Sequence, residues 1–331
     1  MKAAVYYSNS DVRLQELTLP VPENGGILIR TACCGVCVAD TMEWYNIKKA
    51  PVVLGHEATG TIAEIQGQAG DLQPGDRVFV HHHIPCLTCD ACRQGHFTVC
   101  NTFRTTRYDP GGFAEYFAAT TRHAAIDTLK LPDHVGFDEG TLIEPLACVI
   151  HAVRRLFIAP DHHVAIIGAG AIGLLFLQAL EAYGLRNIAV FERDAWRLQR
   201  AHELGADAYS AFEKRHIACF DRVLVIAKDI GAMELGLSLA APGAEVLLFA
   251  TPEPDEYLKF FVQEAFFRQL RVTLSYSADH LDTREALRLI SFGMVDAKSL
   301  ITHRFALSDA GAAISQTAAR GACLKCIVEI G

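Results

Sequence analysis

Four cysteines crowd one short run of this chain: Cys86, Cys89, Cys92 and Cys100, in PCLTCDACRQGHFTVC. The two short gaps let consecutive thiolates turn back on one point, and the longer third gap lets a loop close the fourth side of a tetrahedron. A structural zinc wants that arrangement, four soft ligands and no vacancy for water. The competing readings are a disulfide pair or reduced core thiols. The total of 11 cysteines is odd and spread along a long chain, which fits a reducing compartment with some thiols on metal and the rest free. The opening residues MKAAVYYSNSDVR read as a strand rather than a charged head followed by an apolar leader. A cytoplasmic setting is therefore expected.

At 331 residues the chain is about two domains long. Its net charge of −8 provides no basic stripe to displace counterions, so nucleic acid is not an expected partner. No window reaches the roughly 18 consecutive apolar residues of a membrane span. Over the first part of the chain, VRLQELTLP, GGILIRTACC, TGTIAEI, RVFVHHHI and FAEYFAAT are short, β-branched or aromatic, and bounded by turn signals. They predict a β-barrel or sandwich. The texture then changes. A helix is expected around residues 138–157, followed by near-continuous apolar strands (HHVAIIG, NIAVFE, DRVLVIA, EVLLFA) alternating with helical stretches. That alternation predicts an α/β chain with a parallel sheet covered on both faces. The final strand CLKCIVEI is expected to return to the N-terminal β domain, leaving the α/β domain as an insertion.

Gly168-Ala169-Gly170-Ala171-Ile172-Gly173 follows the apolar strand Val164–Ile167 and opens a helical stretch. In that context the first glycine permits a tight turn, the second lets backbone approach a pyrophosphate, and the third packs helix on strand. The phosphates would rest on the helix N-terminus. An acidic residue is expected about 20 positions on, and Glu192 closes NIAVFE. A carboxylate there accepts ribose hydroxyls and repels a 2′-phosphate, so NAD is favoured. Arg193 and Arg197 stand close by and leave NADP possible.

Cys37, His56, Glu57 and Glu144 are candidates for a second metal. They lie far apart in sequence, and spacing alone leaves a metal site and a satisfied core pair equally open. A resemblance adds to this. CGVCVAD (34–40), LGHEATG (54–60), PGDRV (74–78), the four-cysteine run, GGFAEY (111–116), LIEPLACVIHAVRR (142–155), GAGAIG (168–173), LGAD (204–207) and ITHRF (301–305) occur together, in order, over nearly the whole chain. They resemble the zinc-dependent medium-chain dehydrogenase/reductase family of the alcohol dehydrogenase superfamily, nearest its polyol and threonine dehydrogenase branch. The resemblance implies a GroES-like β-barrel catalytic domain over residues 1–146 and 276–331, with a Rossmann doubly wound domain inserted over 147–275. It makes Cys37 and His56 catalytic zinc ligands. Glu57 becomes a carboxylate that completes or exchanges at the metal, and Glu144 stands where the polyol branch uses glutamate. It implies about two zinc ions per chain, one catalytic and one structural, a small alcohol or carbonyl substrate, and a homodimer or homotetramer.

The chain departs from the family at Ala39 and Met42, where a hydroxyl and a histidine usually carry the alcohol proton towards solvent. Water, Glu57, Glu144 or Thr41 would have to substitute. The departure keeps open an alternative, reduction of an enone or imine-like intermediate. A non-catalytic nucleotide-binding protein of the same fold is the third reading. Among smaller features, His81-His82-His83 reads as strand, with His81 and His83 on one face but more simply leading into the cysteine lobe. Cys323 and Cys326 are expected on opposite faces of a terminal strand, unable to share a ligand. Cys33, Cys34, Cys148 and Cys219 are expected to be buried small apolar residues.

Overall fold

A computed structural model describes residues 1–210, 218–319 and 321–331. The chain divides into two compact units, Met1–Ala147 with Ala278–Gly331, and Cys148–Ser277.

The first unit begins with β1 (Lys2–Ser8), β2 (Asp11–Glu16), β3 (Ile27–Gly35), β4 (Val52–Val53), β5 (Glu57–Ile65), β6 (Arg77–Val80), β7 (Tyr116–Ala119) and β8 (Thr128–Lys130). β3 is its spine. It pairs antiparallel with β5 along most of its length, and with β7 at its start. Such a strand has no solvent edge, and ILIRTACCG is buried at all but two partly or fully exposed positions, Arg30 and Ala32. Ile27, Ile29, Ile62, Val78, Phe113 and Phe117 fill the core behind it.

The second unit carries β9 (Val164–Ile167), β10 (Ile188–Glu192), β11 (Asp207–Ser210), β12 (Phe220–Val225), β13 (Ala240–Leu248) and β14 (Arg271–Leu274). All neighbours pair in parallel, in the order β11-β10-β9-β12-β13-β14. That is the 3-2-1-4-5-6 order of doubly wound dinucleotide folds, whose direction reverses between the first and fourth strands. The glycine segment 168–173 leaves β9, one of the two strands flanking that reversal. β9 is fully buried, as a strand covered on both faces must be. The chain then returns to the first unit through β15 (Ile301–Ala306) and β16 (Lys325–Glu329), with β16 antiparallel to β3.

Several expectations need correction. The helix expected over 138–157 is two, Phe137–Gly140 and Ile143–Arg155. Pro145 explains the restart, because its missing N–H is tolerated only in a helix's first turn. β6 ends at Val80, so the three histidines lie beyond the strand and its alternation does not govern them. Cys219 is exposed and Cys148 only half-buried. Among the described residues no helix is long and apolar enough to cross a membrane.

Candidate active site

The four cysteines of the first unit meet. Cys86, Cys89, Cys92 and Cys100 each offer a sulfur, and these lie within 4.8 Å of one another. Cys89 precedes the short helix Asp90–Arg93, and Phe97 and Phe103 pack against the cluster. Backbone N–H groups of Thr88 and Cys89 donate to Cys86 Sγ at 3.5 and 3.3 Å. The Thr88 hydroxyl and those amides pull the Cys86 thiol down to about 5. Burial and neighbouring thiols push Cys92 up to about 12. Four converging sulfurs with amide donors suit a closed tetrahedral zinc.

Cys37, His56 and Glu57 also converge, with one ligand atom each inside a 4.8 Å group. Three local devices place them. Cys37 caps the 3-10 turn Val38–Thr41, its sulfur accepting from Ala39 N at 3.4 Å. Asp40 closes that turn by accepting from Cys37 N at 2.9 Å, and its other oxygen faces His56 Nδ1 at 3.6 Å. Glu57 opens β5 opposite Gly35 of β3. A Cβ at Gly35 would overlap Glu57 Oε2 and stand 3.0 Å from Lys325 Cε, so only glycine admits the carboxylate.

Lys325, which sequence reasoning missed, lies beneath that carboxylate. It is 5% exposed on β16, donates to Val36 O at 3.0 Å and ion-pairs with Glu57. Its signal was legible: a lysine in the apolar strand CLKCIVEI is affordable only if paired. Burial drives the Glu57 carboxyl upward, Lys325 opposes this, and Glu144 adds to it. Burial opposes charge on His56, but Asp40 and Cys37 outweigh it and hold its pKa well above the ordinary value. Burial raises the Cys37 thiol, with His56 in opposition. A thiol, an imidazole and a carboxylate make a donor set that fits a three-ligand zinc with an open position.

Glu144, in the first turn of helix Ile143–Arg155, is placed within 4.8 Å of His81 and His82 rather than inside the Cys37 group. The two groups are neighbours, since the His82 and His56 rings stand 4.8 Å apart. His81 Nδ1 meets Asp127 Oδ2 at 2.9 Å. Burial holds His82 well below its ordinary pKa. Thus His81 pairs with His82, not with His83, because the strand has already ended.

In the second unit, Gly168 has φ 106°, a conformation open to glycine. A Cβ at Gly173 would overlap Gly168 O, which is the helix-on-strand contact expected of the third glycine. Gly170 precedes the helix Ala171–Ala182, whose first turn holds Ala171, Ile172 and Gly173. Glu192 ends β10, and its carboxylate accepts from Ala169 N at 2.8 Å and from Arg193 N and Asp194 N at 2.7 and 3.0 Å. Arg193 reaches Asp229 at 3.3 Å. Arg197 Nη1 lies 3.9 Å from where a Gly170 Cβ would be.

Comparison with known proteins places both units in described domain families. Residues 23–133 match the alcohol dehydrogenase GroES-like domain and residues 171–291 the zinc-binding dehydrogenase domain. Human sorbitol dehydrogenase is 30% identical over 98% of this chain and 94% of its own. A protein from Sinorhizobium meliloti solved with NADP superimposes with TM-score 0.88 at 27% identity, over 99% of this chain and 98% of its own. Galactitol-1-phosphate dehydrogenase from Escherichia coli gives 0.87 at 25%, over 99% and 100%. The chain belongs to the zinc-dependent medium-chain dehydrogenase/reductase family, within the alcohol dehydrogenase superfamily. Its first unit carries the GroES-like domain and its second the Rossmann domain of these oxidoreductases.

Proposed function

We propose that this chain is a zinc-dependent, NAD(P)-linked oxidoreductase that interconverts a secondary alcohol or polyol and its ketone or aldehyde by hydride transfer. One observation carries the reading: Cys37, His56 and Glu57 form a compact group of one sulfur, one nitrogen and one oxygen ligand in a chain whose glycine loop leaves the sheet at its reversal point. The sorbitol and galactitol-1-phosphate dehydrogenases among its relatives support a polyol.

In this reading Cys37, His56 and Glu57 hold the catalytic zinc, and Glu144 joins or exchanges with them. Cys86, Cys89, Cys92 and Cys100 hold the structural zinc. When bound, zinc supplies Lewis acidity to an alcohol or carbonyl oxygen and the nicotinamide supplies the hydride acceptor. Asp40 faces His56 Nδ1 and orients the ring, as a carboxylate beside a metal-binding imidazole does. Lys325 offsets the charge of Glu57. Ala39 and Met42 cannot take the alcohol proton, and the Thr41 hydroxyl is committed to Val38 O at 2.7 Å. With Glu57 given to Lys325 and the metal, Glu144, buried and grouped with His81 and His82, is the carboxylate placed to take that proton, directly or through water.

Gly168, Gly170 and Gly173, with Ala171 and Ile172, cradle the pyrophosphate at the helix start. Glu192 takes the ribose hydroxyls and favours NAD over NADP. Arg193 is tied to Asp229, and Arg197 sits beside Gly170 to meet phosphate. Residues 1–146 with 276–331 act as the catalytic domain and 147–275 as the cofactor domain. β14 edges its sheet, and Leu274, Phe266 and Phe267 lie exposed on and before it. Such an edge suits a second copy of this chain, in a homodimer or homotetramer. The thiol-rich composition suits the cytoplasm.

The test is a polyol and secondary-alcohol panel followed by nicotinamide absorbance, with NAD and NADP side by side. Cys37→Ser is expected to abolish turnover while circular dichroism stays unchanged. Full activity in that variant would remove the catalytic-zinc assignment.

A further inference from the structure

The last strand carries a third group of candidate metal ligands, sharing no residue with the two described above. Cys323 lies just before β16 and Cys326 within it. Strand alternation would put their thiols on opposite faces, but Cys323 precedes the strand, where alternation does not hold. The turn ahead of β16 brings the two sulfurs to 3.4 Å. His303, paired with Cys326 across β15 and β16, completes a group whose ligand atoms lie within 4.8 Å. Both cysteines are buried, at 3% and 0% exposure, while His303 reaches partly to solvent. Its Nδ1 meets Thr302 Oγ1 at 3.0 Å, and ring nitrogens braced in this way orient metal-bound histidines.

The sulfur separation is informative. Two thiolates at about 2.3 Å from a tetrahedral zinc stand roughly 3.8 Å apart, whereas a disulfide needs about 2.05 Å. The pair Cys86 and Cys92 in the four-cysteine lobe stands at 3.9 Å. At 3.4 Å the C-terminal pair is unbonded and lies far nearer the chelating separation than the disulfide one, and a small outward turn of either thiol reaches it. We propose that Cys323, Cys326 and His303 form a third metal site, for a zinc-class soft divalent cation, with a fourth position open to water or a small ligand. Binding displaces the protons of the two thiols to solvent, and no electron is transferred. Lys325 lies between the two cysteines, so an ion here braces the stretch that presents its ammonium to Glu57.

The test uses the full chain saturated with Zn2+ and, separately, with Cd2+, whose bonds to thiolate absorb in the ultraviolet. Cys323→Ala combined with Cys326→Ala is expected to lower bound metal by about one equivalent per chain, with a matching loss of cadmium–thiolate absorbance. His303→Ala changes a partly exposed ring and so spares the core. It is expected to keep the fold and weaken one class of site by ~10-fold or more, which tests the proposal even if the double variant does not fold. Equal metal content and affinity in the wild type and His303→Ala would overturn it. So would recovery of Cys323 and Cys326 as a disulfide from metal-saturated, non-reduced protein.

Discussion

Lys325→Met isolates the charge hidden beneath the candidate metal site. The side chains of Lys325 and Glu57 are 6% and 1% exposed, so neither can turn to water when the other is lost. Removing one member of a buried pair costs about 3–5 kcal/mol, mostly because the remaining charge stays buried and unpaired. For a unit of this size that is a fall in melting temperature of roughly 6–20 °C. Calorimetry of chelator-treated protein reads it, because a bound cation beside Glu57 would mask the deficit. Restoring zinc is then expected to recover part of the loss. Adding Glu57→Gln to Lys325→Met removes both charges and is expected to recover most of it, since a pair deleted together leaves no orphan. An unchanged melting temperature in Lys325→Met, or a double variant no better than the single one, would refute the pairing argument.

Three further outcomes are expected. Cys92→Ser lowers thermal stability by several kcal/mol while leaving kcat near the wild-type value, because a closed zinc contributes folding energy rather than chemistry; chelation with an unchanged melting curve would contradict this. Burial holds His123 down to about 4, and its Nδ1 accepts from Thr120 N at 3.1 Å. The unfolded chain binds this proton first, so the contribution is fully present above about pH 6.5 and is lost as pH falls towards 4, a change of about 3 kcal/mol that denaturant titration across that window measures. Glu192→Gln removes the charge that repels a 2′-phosphate and is expected to move the ratio of kcat/KM for NADP over NAD upward by ~10-fold, or about 1.4 kcal/mol.

Local chemistry was readable where the ligands or glycines are close in sequence. The four cysteines and the segment 168–173 announced themselves because a short loop leaves few ways to arrange them. Glu192 was readable too, since β–α–β spacing places it at the end of the next strand. The shared face imagined for His81 and His83 and the separation expected of the C-terminal thiols failed for one reason. Strand alternation was extended past the ends of β6 and before the start of β16, where the backbone turns and neighbouring side chains can meet. Lys325 went unnoticed because its partner is distant in sequence, although its cost in an apolar strand was visible.

The linear chain by itself determined a β unit interrupted by a doubly wound one, a lobe of four converging cysteines, and a glycine turn from strand into helix. Each follows from periodicity or from spacing over a few residues. Only tertiary structure decided that Cys37, His56 and Glu57 share one point, that Lys325 neutralises the carboxylate through the gap left by Gly35, and that Glu144 stands with His81 and His82. Those contacts join strands far apart in the chain, and burial sets their strength. Low local polarity makes an ion pair or a ligand group decisive, and no local pattern of residues carries that information.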